Sequence, residues 1–269
     1  MQILGNIRVL DEYSLSAGSA VPFAQVLQWL EQARRWDQRE ILPGATALSA
    51  GEVIRIDSYL GPVVVKRKLE SGVKGMQVRS GLRESQLGRS FRMGTLAMEA
   101  GLNTPEPLMY AERRIGLAVE TIVITRFEAG IQPWTMLAQE WLAPRMLESL
   151  GQELANWHAA GLRHRDLKGP NLLYQVAVGR SVLLDLAGVQ QVGVDLSLRI
   201  RARDLARLRS SALGAGVKPA QWQRLFDAYL RQSCLHGSAI VDDSEFLGNI
   251  DHYVQRKLQR NQRLNKPVY

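Results

Sequence analysis

Several features that mark other classes of protein are missing from this chain of 269 residues. Its single cysteine, Cys234, excludes an intrachain disulfide, and its four scattered histidines do not form a metal-binding cluster. No apolar run approaches the roughly 18–20 residues that a membrane-spanning helix needs. The first twelve residues lack the basic and apolar segments of a secretory signal. We therefore expect a cytoplasmic protein.

Positive charge is in excess, since 34 Lys and Arg residues outnumber 26 Asp and Glu residues and give a net charge of +8. A basic surface of this kind attracts phosphate groups and other anions. Two stretches concentrate the excess, at residues 66–92 and 199–209. Either these stretches bind an anionic partner or they only keep the protein soluble, and the sequence leaves both interpretations open.

The pattern of apolar residues changes between the two halves of the chain. The first half predicts strands at 52–59, 62–67 and 120–125 and a helix at 82–100. The second half predicts a helix at 144–160 and two short strands at 172–176 and 182–186. Further helices are predicted from there to the end of the chain.

This order of elements predicts an α+β fold with two lobes. We place a small β-rich N-lobe at residues 1–127, in which 1–50 form an N-terminal extension and 51–127 form the strands and helix. A helical C-lobe follows at 128–269, after a hinge near residues 126–130.

The most informative stretch reads H-R-D-L-K-G-P-N and runs from His164 to Asn171. Asp166 and Asn171 lie five residues apart on a loop, and fourteen residues after Asn171 a second strand ends at Asp185. Phosphoryl transfer needs a carboxylate that accepts the proton of the attacking hydroxyl, together with oxygen ligands for Mg²⁺. Asp166 suits the first role, and Asn171 with Asp185 suits the second.

Two further residues belong to this catalytic stretch. Lys168, two residues after Asp166, would face the same cleft and neutralise charge on the transferred phosphoryl group. His164 is expected to brace the loop through a hydrogen bond. The spacing H-R-D-x-K-x-x-N followed by L-L-D favours a phosphotransferase over a loop that is merely held by buried ion pairs.

These motifs resemble the eukaryotic-protein-kinase-like superfamily and, within it, the bacterial lipopolysaccharide core kinases that act on heptose or Kdo (3-deoxy-manno-octulosonic acid). The likeness covers roughly residues 50–265. It includes V-V-V-K-R-K at 63–68, A-G-L-N-T-P at 100–105, W-H-A-A-G-L-R-H-R-D at 157–166 and R-D-L-A-R-L-R-S-S-A at 203–212. The resemblance implies a protein-kinase-like fold, the use of ATP and Mg²⁺, and transfer of phosphate to a heptose or Kdo hydroxyl of the lipopolysaccharide inner core.

The resemblance also assigns ATP-binding roles outside the catalytic loop. Lys66 would hold the α- and β-phosphates of ATP, and Asp185 would take the place of the Asp in the D-F-G signature. Arg126 and Glu128 would present backbone groups to adenine.

The sequence leaves the partners of two acidic residues open. By register, the helix Glu that pairs with Lys66 in such kinases falls on Ser90, and Glu84 could substitute only if the helix is shifted. Asp204 is either the buried acid that holds the catalytic loop or an ordinary helix Asp paired with Arg201 or Arg207.

Departures from the kinase pattern bear on the alternatives. No G-x-G-x-x-G precedes Lys66, no A-P-E follows Asp185, and only eighteen residues separate Asp185 from Asp204. Because so short a segment leaves little room for peptide docking, the second hypothesis, a Ser/Thr protein kinase, is disfavoured. A third hypothesis, a non-catalytic pseudokinase, conflicts with the presence of all the catalytic residue types.

The resemblance implies a lipopolysaccharide core glycolipid as partner, together with the anionic surface of the inner membrane. We expect a peripheral position at that membrane, and no nucleic acid as a partner. A predicted C-terminal helix at 251–266 would join the membrane-facing basic residues. The other basic residues expected there are Lys74, Arg79, Arg83, Arg199, Arg201 and Arg203.

Overall fold

The structure is a computed structural model that describes residues 8–10, 13–17, 21, 28–29, 46–49, 53–58, 60–139, 141–194, 196–237 and 243–264. Backbone contacts divide them into two compact units. The first unit contains the described residues up to Thr95 together with Pro105–Glu128. The second contains Leu96–Thr104 and the described residues from Ala129 onwards. Of the helices described, none combines the length and apolarity of a membrane span.

The first unit is built on a seven-stranded antiparallel sheet with the order β1-β2-β6-β7-β5-β4-β3. Its strands are β1 (Arg8–Leu10), β2 (Tyr13–Ala17), β3 (Thr46–Ser49), β4 (Val53–Ser58), β5 (Gly61–Glu70), β6 (Pro107–Ile115) and β7 (Ala118–Arg126). Three short strands from the first 50 residues thus extend both edges of the sheet, in a region for which we predicted no strands.

The two faces of β5 have different surroundings, which fixes the position of Lys66. Val63 and Val65 are buried in a core shared with β4, β6 and β7. Lys66 points to the opposite face, because side chains alternate along a strand. Its cross-strand partner is Val123, which packs with Leu87. Directly opposed residues share a face, so Lys66 lies on the sheet face that helix α2 covers.

Two helices accompany this sheet in sequence, α1 (Gly72–Arg79) and α2 (Gln86–Glu99). The predicted helix at 82–100 therefore begins four residues later than expected. Gly101, with φ +72°, ends the helical segment as predicted.

The second unit is mainly helical, as predicted for the second half of the chain. Its helices are α3 (Ala143–Ala159), α4 (Leu198–Gly214), α5 (Pro219–Leu235) and α6 (Asp243–Arg263). On α3, buried apolar residues recur at helical spacing and pack towards α5. Phe246 of α6 stacks on Phe226 and Tyr229 of α5, with ring centroids 6.0 and 6.3 Å apart. These aromatic contacts fix the start of the C-terminal helix, which begins eight residues earlier than predicted; residue 266 lies outside the described residues.

Two small antiparallel strand pairs position the loops of interest. The order along the chain is β8, β9, β10, β11, and β8 pairs with β11 while β9 pairs with β10. The loop between β8 and β9 therefore lies beside the loop between β10 and β11. The strands are Leu162–His164, Leu172–Gln175, Arg180–Leu183 and Val189–Gln191.

Candidate active site

The loop after β8 is held in place by His164. Its backbone N–H donates to Oδ2 of Asp204 (2.6 Å). Its ring Nε2 donates to the carbonyl oxygen of Leu184 (2.9 Å), and its ring Nδ1 accepts the backbone N–H of Asp166 (3.3 Å). One donating and one accepting nitrogen make the ring a neutral tautomer, in agreement with a pKa of His164 that burial lowers. The ring therefore joins Asp166 to the residue that precedes Asp185.

Asp204 anchors this loop from α4, and its side chain is fully buried. Besides the bond to the loop backbone, its Oδ1 accepts a hydrogen bond from Nη1 of Arg207 (2.8 Å). Asp204 therefore combines both predicted roles, because it pairs with a helix Arg and also binds the backbone of the catalytic loop. Burial raises the pKa of Asp204 to about 6. His158 approaches it at 3.9 Å, but burial lowers the pKa of His158 to about 3, so this contact is not an ion pair.

Asp166 combines fixed neighbours with an accessible carboxylate. Nζ of Lys168 lies 2.7 Å from its Oδ2. Nδ2 of Asn171 donates to its carbonyl oxygen (2.8 Å) and to Oδ2 (3.2 Å). With 51% of its side chain exposed, the carboxylate can still receive a hydroxyl group, as a general base must.

Asn171 and Asp185 lie beside each other because the backbone N–H of Leu184 donates to the carbonyl oxygen of Asn171 (2.8 Å). Asp185 has φ 54° and ψ 62°, and among the described residues it alone, glycines apart, has a positive φ. Such a conformation costs on the order of 1–3 kcal/mol and concentrates at functional sites. The strand β10 ends at Leu183, three residues earlier than predicted.

This pair of side chains fits a magnesium ion that is shared with a nucleotide. Because Nδ2 of Asn171 is used by Asp166, its Oδ1 is the atom offered to a cation, and Asp185 adds a carboxylate. Mg²⁺ commonly takes one or two protein carboxylates and completes its shell with phosphates and water. In the described part of the chain no group of three or more His, Cys, Asp or Glu side chains could hold a metal by itself. A nucleotide's phosphates would therefore have to supply further ligands.

Gly169 lies where the catalytic loop meets a tryptophan. A Cβ at this position would be 2.1 Å from Cδ1 of Trp134. Oγ of Ser211 accepts both the backbone N–H of Gly169 (3.0 Å) and Nε1 of Trp134 (3.3 Å). Our sequence reasoning missed Trp134 and Ser211 as supports of the loop. The available signal was the glycine itself, since a tight approach requires a residue without a side chain.

The other predicted ATP-binding residues lie in the first unit. Arg126 is the last residue of β7, and its backbone N–H donates to the carbonyl oxygen of Glu106 (2.9 Å). Its side chain forms an ion pair with the carboxylate of Glu106 (2.8 Å). The backbone N–H of Arg126 is therefore already bonded, and the contact of its backbone with adenine stays a prediction. Glu128 ends the first unit, two residues after β7.

Glu84 precedes α2 instead of lying on it. Its two carboxylate oxygens accept hydrogen bonds from Arg92 (2.9 and 2.8 Å), and Arg89 lies 3.7 Å away. Arg92 thus competes for this carboxylate, and the pairing of Glu84 with Lys66 stays a prediction.

Comparison with known proteins identifies the family. A sequence model of the lipopolysaccharide kinase (Kdo/WaaP) family matches residues 64–229, well over half of the chain. The chain belongs to this family. The match confirms the family that the catalytic motif and the flanking segments predicted.

Relatives of this lipopolysaccharide kinase family member include 3-deoxy-D-manno-octulosonic acid kinases. That of Vibrio parahaemolyticus is 26% identical over 102 residues, 38% of this chain and 43% of the relative. That of Xanthomonas axonopodis pv. citri is 28% identical over 164 residues, 59% of this chain and 64% of the relative. The chain thus spans less than two thirds of the length of these two relatives.

A solved structure, WaaP in complex with acyl carrier protein, shares the fold. It has a TM-score of 0.58 and 20% sequence identity, and the alignment covers 90% of this chain and 98% of that chain. This likeness confirms the predicted α+β, protein-kinase-like fold class.

One expectation for this member of the lipopolysaccharide kinase family is wrong. We predicted that Arg201 lies with Arg199 and Arg203 on an exposed basic surface, but Arg201 is fully buried. It precedes Asp204 by three residues, so both lie on the buried face of α4. Its Nε donates to the carbonyl oxygen of Leu196 (2.9 Å). Arg201 therefore belongs to the core and is not available to an anionic partner.

The predicted site residues fall into two groups. The second unit brings together Asp166, Lys168, Asn171, Asp185, His164 and Asp204. The first unit carries Lys66, Arg126, Glu128 and Glu84.

Proposed function

We propose that the protein is an ATP-dependent kinase that phosphorylates a sugar hydroxyl, of heptose or Kdo, in the inner core of lipopolysaccharide. The observation that carries this proposal is the half-exposed carboxylate of Asp166, held by Lys168 and Asn171 on a loop that lies beside Asp185. The family and the Kdo kinases among its relatives support the choice of acceptor.

Asp166 is the proton acceptor in this proposal. Its carboxylate orients the sugar hydroxyl and takes its proton as the oxygen attacks the terminal phosphorus of ATP. Lys168, 2.7 Å from that carboxylate, is placed to offset the negative charge of the phosphoryl group during transfer. Asn171 donates to Asp166 and so prevents the carboxylate from turning away.

Asn171 and Asp185 would hold Mg²⁺, and Lys66 would contact the α- and β-phosphates of ATP. When bound, the cation would neutralise part of the charge on the nucleotide's phosphates. The carbonyl oxygen of Arg126 and the backbone of Glu128 would form hydrogen bonds with adenine. Asp185 has a left-handed backbone next to the bond from Leu184 to Asn171, and such strained backbone at a candidate site supports a functional role for this residue.

The acceptor also determines where the protein works. A lipopolysaccharide precursor is anchored in a membrane by its lipid, so we propose a peripheral position at the cytoplasmic face of the inner membrane. A Ser/Thr protein kinase needs room for a docked peptide. Between Asp185 and the start of α4 at Leu198, the described residues form one helical turn and the short strand β11, which favours the sugar kinase.

The assay is phosphate transfer from radiolabelled ATP to dephosphorylated core lipopolysaccharide, with a protein extract as the competing acceptor. We expect Asp166→Asn to lower kcat by about 10³-fold, equivalent to about 4 kcal/mol of transition-state stabilisation. The matched control is Asp227→Asn on α5, whose carboxylate accepts a bond from Gln223 at the surface; it should keep wild-type activity. Label in the extract's proteins and none in lipopolysaccharide would overturn the proposal, as would a folded Asp166→Asn variant with a tenth of wild-type turnover.

A further inference from the structure

A cavity of about 880 Å³ lies next to Asp166 within the second unit. Its walls come from the catalytic loop, α4 and α6. Among the described residues that line it, eight are Lys or Arg and Asp166 is the single acid. That acid is already paired with Lys168. The cavity therefore has a large excess of positive charge beside the proposed proton acceptor.

The sequence of α6 explains how this helix forms a basic wall. Phe246, Ile250 and Val254 are buried at four-residue intervals and hold one face of the helix in the core. Lys257 follows Tyr253 by four residues, and both line the cavity. Arg256 and Arg260 lie on the same face of α6 as Tyr253 and Lys257, and they also line the cavity.

Lys257 is an α6 cation that lines the cavity and whose charge interacts with Asp166 and Lys168 of the catalytic loop. Its side chain is half-buried. Burial and the neighbouring charge of Arg207 lower the pKa of Lys257, whereas the charge of Asp166 opposes this shift. A cation that is partly removed from water among other cations is stabilised when an anion binds beside it.

The lining distinguishes between kinds of ligand. In the part of the chain that the structure describes, it includes Asp166 and Lys168 but neither Asn171 nor Asp185. The cavity therefore adjoins the proposed proton acceptor, and neither of the two proposed metal ligands lines it. Among the described lining residues Tyr253 is the single aromatic one, whereas sites for single-stranded nucleic acid combine cations with several stacking rings. A volume near the upper end of the roughly 300–1,000 Å³ range of small-molecule pockets fits more than one sugar residue.

We propose that this cavity binds anionic groups of the acceptor on either side of the reacting hydroxyl, and that Lys257 is a specificity-determining residue for them. The ligand class is an acidic oligosaccharide that carries carboxylates or phosphates. The inference rests on the proposed function, because it takes Asp166 as the group that receives the acceptor hydroxyl.

The test compares three variants with the wild-type chain. The probe is the inner-core oligosaccharide released from lipopolysaccharide by deacylation, used intact, after phosphatase treatment and after reduction of its carboxylates. Lys257→Gln should raise the KM for the intact oligosaccharide about tenfold with a smaller change in kcat, as expected for loss of a charge-assisted contact. Lys257→Arg, which keeps the charge, should recover most of the affinity. The control Arg231→Gln removes an exposed cation of α5 outside the lining and should leave the KM unchanged.

Direct binding, measured by calorimetry on the Asp166→Asn protein, separates this inference from the proposed function. If the oligosaccharide binds but the wild-type chain does not phosphorylate it, the proposed function fails and the binding site stands. Loss of affinity after either treatment supports the site and identifies the anion. Phosphorylation with a wild-type KM in Lys257→Gln, equal binding of all three forms, or equally tight binding of a single-stranded oligonucleotide would each overturn the inference.

Discussion

Removal of the Asp204 carboxylate tests whether a buried acid on α4 holds the catalytic loop. In Asp204→Ala, the backbone N–H of His164 loses its acceptor at 2.6 Å and Arg207 loses its partner at 2.8 Å. The variant creates no other change in charge near Asp166. We expect both a less stable protein and a less active one.

The size of the stability loss follows from the surroundings of the two donors. His164 is buried, and an unsatisfied buried N–H costs about 1–3 kcal/mol. Breaking a fully buried ion pair costs about 3–5 kcal/mol, but 30% of the Arg207 side chain is exposed, so water can partly replace the carboxylate. We therefore expect a decrease in the free energy of unfolding of about 3 kcal/mol, a large share of the 5–15 kcal/mol typical of a domain.

Urea unfolding followed by circular dichroism measures this loss, and kcat is determined below the onset of unfolding. The control is Asp227→Ala, which removes a surface carboxylate and should change the free energy of unfolding by less than about 0.5 kcal/mol. If Asp204→Ala costs under about 1 kcal/mol and keeps wild-type kcat, the carboxylate does not anchor the loop and the reasoning is refuted.

Two further predictions concern the same loop. Gly169→Ala places a methyl group against Trp134 and should lower the free energy of unfolding by about 1–3 kcal/mol, whereas Gly248→Ala on α6, where the added Cβ meets open space, should not; equal melting temperatures for the two variants would contradict the close contact. The second prediction is a pH dependence. Burial raises the pKa of Asp204 to about 6, above its ordinary 3.8, so the native state binds the proton more tightly than the unfolded state does. The contribution of this proton to the free energy of unfolding is therefore complete below about pH 4 and is lost as the pH rises through 6. The difference in unfolding free energy between wild type and the non-titrating Asp204→Asn should shrink between pH 4 and pH 7, and a constant difference would contradict the raised pKa.

The catalytic segment could be predicted from the sequence because its chemistry is local. Asp166, Lys168 and Asn171 lie within six residues of one another, and the spacing of a loop between two short strands leaves few ways to arrange them. Asp185 is distant in sequence but adjacent in space, since the pairing of β9 with β10 returns the chain to Asn171. Such a site can be predicted because the register of a hairpin determines which residues of its two strands lie side by side.

Features that depend on tertiary packing could not be predicted from the sequence. The strands β1, β2 and β3 are three to five residues long, too short for a periodicity that separates them from loops. The burial of Arg201 depends on which face of α4 meets the core, and a helix with this many arginines shows no clear apolar stripe. Likewise, the basic residues of α6 were recognised, but their position beside Asp166 depends on the stacking of Phe246 on α5, which no local pattern reveals.

The first unit illustrates the same limit at the position where a kinase-like fold pairs a strand Lys with a helix Glu. Lys66 lies on the sheet face that α2 covers, as the alternation along β5 requires, but the helix presents Ser90 where the register places the Glu. Glu84 is close in sequence, yet its carboxylate is bound bidentately by Arg92. A bidentate pair with arginine is stronger than a single contact with lysine, so transfer of this carboxylate to Lys66 would require the loss of a better bond. The pairing of Glu84 with Lys66 therefore requires that Arg92 first releases this carboxylate.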